Sequence, residues 1–175
     1  MEFHVEQDPG LLCVDLFVGG LHVNTWDNAF YPPLLVKKLK DELGRFRTPT
    51  APPAGFVSPL EAFRLAEDWM YDEAVTETAA EAGAELARWR FLDWGECTDY
   101  VLAFAFPDGD RVHLACRVHG DAGPQASAVA SVSRTSFVET LERSLVVAER
   151  EWSCRLAAMK AGGDPGDVRR GADGP

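Results

Sequence analysis

No phosphate-binding G-x-x-x-x-G-K-[ST] loop, G-x-S-x-G elbow, H-E-x-x-H helix or Rossmann glycine fingerprint occurs anywhere in the chain. Their absence removes the common routes to nucleotide, acyl-transfer, zinc-hydrolase and dinucleotide chemistry, and the expectation is that the protein is not an enzyme. No hydrophobic run approaches the length of a membrane span. The first residues, MEFHVEQD, are acidic, with no apolar run behind them, so neither a secretory nor a lipidation signal is expected there. The four cysteines (Cys13, Cys97, Cys116, Cys154) are far apart and form no C-x-x-C pair. That pattern predicts a cytoplasmic protein with reduced thiols, although spacing leaves a disulfide open. Positive charge is scarce: the net charge is −11 over 175 residues. A chain this acidic is not expected to bind nucleic acid or an anionic membrane, and its natural partners are basic.

The acidity is local. Residues 61–99 hold eleven acids against three arginines (Arg64, Arg88, Arg90), a net of −8, which leaves −3 for the rest of the chain. Residues 137–160 balance four acids with four bases. Within the acidic segment Glu73, Glu77, Glu81 and Glu85 stand four apart with no lysine or arginine among them. On one helix face each adjacent like-charged pair costs roughly 0.2–0.5 kcal/mol. Such a row is either a solvated face or a docking surface for a basic protein.

At 175 residues with 46% hydrophobic content, one domain with a real core is expected. Residues 11–26 predict a hairpin about Gly19-Gly20. Pro32-Pro33 opens a helix with Leu34, Leu35, Leu39 and Leu43 on its apolar face and Gly44 as its stop. Ser58-Pro59-Leu60-Glu61 is a capping box. Its helix is expected to run on through the glutamates, with a break at 75–83 as the alternative because Thr76, Thr78 and Gly83 weaken it. Strands follow at 88–94, 100–106, 111–118 and 127–133, then a helix from a second capping box at Ser136–Glu139 with Phe137, Leu141, Leu145, Ala148, Trp152, Leu156 and Met159 as its stripe. The order predicts an α+β domain over 1–160, a mostly antiparallel sheet of five to six strands with helices on one face, and a mobile tail over 161–175.

Candidate chemistry is thin. His113 and His119 share a strand face but would lie about 20 Å apart, and Cys116 faces the other way, so no metal site is expected there. Asp93, Glu96 and Asp99 bracket the loop W-G-E-C-T-D. Three carboxylates there suit a polar turn, a partner contact, a hard cation or acid–base work in an unrecognised enzyme site. No cofactor or metal is called for. Cys97, set among acids, should have a raised pKa and be unreactive. Trp94 beside Gly95 is the best candidate for an exposed anchor, and Trp26 the second. The expected partner surface is therefore Asp68, Asp72, Glu73, Glu77, Glu81, Glu85, Asp93, Trp94, Glu96 and Asp99.

The hairpin at 14–26, the helix start at 31–43 and the segment RFLDWGECTDYVLAFAF at 90–106, in a small acidic α+β chain, resemble the immunity proteins of bacterial polymorphic toxin systems. The resemblance implies tight, stoichiometric inhibition of a cognate toxin, often a nuclease, by occlusion of its active site. A self-associating regulatory module, including a homodimer, is the remaining class.

Overall fold

A computed structural model describes residues 1–4, 10–72, 76–119 and 126–161. The central feature is a four-stranded antiparallel sheet in the order β6 (Arg90–Phe91), β7 (Val101–Asp108), β8 (Arg111–Val118) and β9 (Ala126–Ser133). Strands β7 and β8 pair along their full lengths, from Val101↔Val118 to Asp108↔Arg111, and Gly109 closes the turn with a positive φ of 60°.

Seven of the eight β7 residues are buried, because both faces of the sheet are covered. Side chains alternate along a strand. Val101, Ala103 and Ala105 enter one core, while Leu102, Phe104 and Phe106 enter another. The first core is closed by α1 (Pro32–Phe46), α4 (Arg134–Ala161) and two small sheets. Those sheets are β1 (Glu2–His4), β2 (Leu12–Asp15) and β5 (Ala29–Phe30), and the pair β3 (Phe17–Val18) and β4 (Leu21–His22). The second core is closed by α2 (Pro59–Tyr71) and α3 (Glu77–Ala87). The α+β class and antiparallel pairing agree with expectation. The arrangement differs in having, among the described residues, nine strands in three sheets, with helices on both faces of the main one. An almost continuous apolar strand such as 100–106 signals two-sided burial.

Local chemistry explains most boundaries. Gly19 and Gly20 take φ of 57° and 86°, the paired positive values of a tight hairpin turn, and Val18 pairs with Leu21 across it. The Ser58 hydroxyl accepts from the Glu61 amide and donates to the Glu61 carboxylate, fixing the start of α2. Helix α1 runs past Gly44 to Phe46, which is buried against Trp89 and Phe137, so packing overrides the glycine stop. Helix α4 begins at Arg134, ahead of the expected box, because the Ser133 hydroxyl accepts from the Ser136 amide. Its stripe is buried at Phe137, Leu141 and Ala148, but Met159 is exposed.

Arg90–Phe91 is a strand of two residues rather than seven. Leu92 adopts φ 58°, a left-handed conformation costing a leucine roughly 1–2 kcal/mol. That reversal lets Phe91, Leu92 and Trp94 all enter the same core, which simple alternation would forbid. Behind them the buried Glu42 pairs with Arg45 at 2.9 Å, and Arg45 also bonds the carbonyls of Arg88 and Arg90. Burial pushes the Glu42 carboxyl above its usual range, against the opposing pull of Arg45.

The expected long helix through the glutamates is instead two antiparallel helices, α2 ending at Tyr71 and α3 starting at Glu77. Gly83 does not break α3. It is where the helices touch: a Cβ there would lie 2.6 Å from both the Leu65 carbonyl oxygen and Trp69 Cβ. Gly83→Ala should therefore lower stability by about 1–3 kcal/mol despite alanine's better helix propensity. Gly44→Ala, with nothing within 4 Å, should raise it by a few tenths to about 1 kcal/mol. Urea unfolding of the two variants reads these opposite signs directly.

Candidate partner-binding surface

The C-terminal turn of α2 is held at one end of the main sheet. Arg117, opposite Leu102 near the start of β7, pairs with Glu67 of α2 and lies over Phe63, 5.1 Å from its ring centroid. Asp68 and Asp72 therefore sit at the end of the sheet where β7 begins, as does Asp99, two residues before Val101. Helix α3 packs back along α2 with Gly83 against Leu65 and Trp69, so Glu77 and Glu81, N-terminal to Gly83, lie toward that same end. The turn Glu96–Thr98 lies between β6 and β7 at this end too.

The helix pair and the loop thus share an end of the molecule although they cover opposite faces of the sheet. Trp94, beside the loop, belongs to the core under α1, whereas α2 and α3 close the other core. The Trp94 amide donates to the Thr98 hydroxyl, which donates to the Gly95 carbonyl, so the loop is a closed polar turn.

Not every acid there is available. Glu85 pairs with Arg88 at 3.2 Å. Asp93 is shared between Lys38 at 3.5 Å and Arg90 at 3.4 Å. Asp68, Glu77, Glu81, Glu96 and Asp99 are exposed and have no cationic partner among the described residues. Asp72 is exposed, with its amide closing α2 on the Asp68 carbonyl. Glu73 lies outside the described residues, and the helical row is Glu77, Glu81 and Glu85.

Trp94 is not an exposed anchor. It is 1% exposed, with edge-on contacts to Phe30 and Phe91. Its Nε1 lies near enough to Glu42 to favour that group's charged form, but makes no hydrogen bond within ordinary limits. Two tryptophans reach the surface, Trp26 at 71% exposed and Trp69 of α2 at 45%. Asp27, next to Trp26, reaches the Cys97 thiol, so the Trp26 loop abuts the turn carrying Glu96. Tyr71 and Tyr100 are also exposed at this end. Sequence alone had no means of choosing Trp26 over Trp94, because the burial of Trp94 depends on the backbone reversal at Leu92.

Cys97 is pushed up to about 12, by burial first and then by the charge and hydrogen bond of Asp27, not by the acids flanking it in sequence. Burial likewise raises Cys116. Cys13 and Cys116 are buried, Cys154 is exposed, and none of the four is joined in a disulfide. Brief iodoacetamide treatment of the native protein at pH 8 should therefore label Cys154 alone, with the other three labelled only after unfolding; peptide mass mapping checks this.

His113 is occupied structurally by Ser131 and Asp108, at 2.6 and 3.3 Å. An apolar cavity of about 280 Å³ lies between the β3–β4 hairpin, β9 and α4, with Leu16, Phe91, Val132 and Phe137 in its wall. None of Asp93, Glu96 and Asp99 lines it. Among the described residues no helix is long and apolar enough to cross a membrane. No protein-family model, no curated protein and no solved structure matches the chain.

Proposed function

We propose that the protein is an acidic binding module that captures a basic protein at the end of the sheet where β7 begins. The observation that carries this reading is the gathering of Asp68, Glu77, Glu81, Glu96 and Asp99 there without cationic partners, while acids nearby in sequence are paired. Exposed Trp26, Tyr71 and Tyr100 supply flat aromatic surface beside the carboxylates. Aromatic anchors with peripheral charge suit a partner rich in arginine and lysine. Like-signed carboxylates on one end speed encounter with a basic surface and fix its orientation.

Within that class, the resemblance to immunity proteins favours a cognate toxin as the partner, a nuclease being apt because such enzymes grip phosphate with basic grooves. Occlusion of the groove by the acidic end inhibits it without chemistry on either side. The test is protection: cells expressing a basic toxin domain encoded by a neighbouring gene should survive when the chain is co-expressed. They should lose protection when the five carboxylates are replaced by their amides. Equal protection by the two forms would refute the reading.

A further inference from the structure

At the β1–β2 pair the metal-ligating side chains Glu2, His4 and Asp15 converge, with His22 of β4 set against Asp15. In the β1–β2 register Glu2 faces Asp15, and His4 lies two residues further along the same face of β1. Ligand atoms of Glu2, His4 and Asp15 all lie within 4.8 Å of one another. His4 Nε2 is 2.7 Å from one Asp15 oxygen, and His22 Nε2 is 3.3 Å from the other. His22 is delivered by the β3–β4 hairpin, opposite Phe17, whose ring stacks on it at 4.8 Å. Asn28 Nδ2 donates to Asp15 Oδ1 at 2.7 Å and so orients the carboxylate from behind. His22 Nε2 is buried and faces the Asp15 carboxylate at 3.3 Å without hydrogen-bond geometry.

We propose that Glu2, His4, Asp15 and His22 bind one divalent cation of the zinc class. Two imidazoles and two carboxylates suit Zn²⁺ or Co²⁺, whereas Ca²⁺ and Mg²⁺ prefer shells of oxygen alone. Donors in a tetrahedral site with bonds near 2.0–2.1 Å stand about 3.3 Å apart. Among Glu2, His4 and Asp15 the ligand atoms stand within 4.8 Å, and His22 meets the group through Asp15 at 3.3 Å, so its ring turns inward to complete the set. Glu2 is exposed and the His4 side chain is 45% exposed, so both can adjust around an ion that enters from solvent. A bound ion would displace the His4–Asp15 hydrogen bond, take the His22 nitrogen that now only faces Asp15, and join β1, β2 and β4. The carboxylate held by Asn28 is the outer-shell support such sites need. The four residues are scattered over residues 2–22 with no ligand spacing, which is why the sequence gives no sign of them.

The test uses untagged full-length protein freed of metal by a chelator. Cobalt titration followed by visible absorption, and zinc titration by calorimetry, should each saturate at one ion per chain, with Zn²⁺ raising the thermal midpoint and Mg²⁺ leaving it unchanged. His4→Gln and His22→Gln should each weaken binding by more than about 10-fold and abolish the thermal shift, while their far-UV spectra stay native. Should His22→Gln disturb the hairpin, the exposed His4→Gln carries the test alone. Absence of saturable one-to-one uptake, or uptake undiminished in correctly folded His4→Gln, overturns the proposal and leaves the cluster a hydrogen-bonded clasp between strands.

Discussion

Replacing Asp68, Glu77, Glu81, Glu96 and Asp99 together by their amides should slow association with the basic partner by about 10- to 100-fold at low ionic strength. The same variant should show a much flatter dependence of the on-rate on salt, because the accelerating field is what salt screens over about 8 Å at physiological strength. Dissociation should change less, since charges at the rim act mainly on encounter. Thermal stability should hold or rise slightly: all five side chains are exposed and without cationic partners among the described residues, and Glu77 and Glu81 repel each other one turn apart on α3. Stopped-flow association at two salt concentrations separates this from a folding defect. The paired acids are the control. Amides at Glu85 and Asp93, whose charges are already met by Arg88, Lys38 and Arg90, should leave the on-rate nearly unchanged.

The second large effect concerns Trp94. Trp94→Ala should destabilise the protein by about 3–5 kcal/mol, the cost of emptying a fully buried aromatic site in contact with Phe30 and Phe91. An exposed anchor would behave oppositely, with stability within about 0.5 kcal/mol of wild type and the loss confined to binding. Part of the cost comes from Leu92, whose left-handed conformation is maintained because Phe91, Leu92 and Trp94 gain burial together. Losing Trp94 removes a share of that compensation. Denaturant unfolding followed by far-UV circular dichroism reads the difference without relying on tryptophan fluorescence.

These two residues sets mark what the sequence could and could not reveal. Period and turn chemistry exposed the Gly19-Gly20 hairpin, the Ser58 cap, the β7–β8 hairpin and the last strand, because each depends on residues close in the chain. The local acid excess was equally plain from composition. The unbroken apolar run at 100–106 signals two-sided burial of the sheet, whereas the order of elements alone predicts helices on one face. What stayed hidden depends on distant packing: Phe46 carrying α1 past Gly44, Gly83 serving as a contact and not a break, and Leu92 turning Trp94 inward. Ion pairing is hidden for the same reason. Asp93 and Glu81 look equivalent in sequence, yet only the fold brings Lys38 of α1 to Asp93. The selection of Trp26 over Trp94 at the surface follows from these same contacts.

The central claim is that the carboxylates at the β7-start end select a basic protein. Its most direct test is quantitative recovery of partners from the native cells by the wild-type chain and the five-amide variant side by side, under low salt, with mass-spectrometric ratios. The account predicts one dominant wild-type partner, basic by sequence, in a one-to-one complex, and its loss from the variant by an order of magnitude or more. A dominant partner that is acidic, or one recovered equally by both forms, would contradict it.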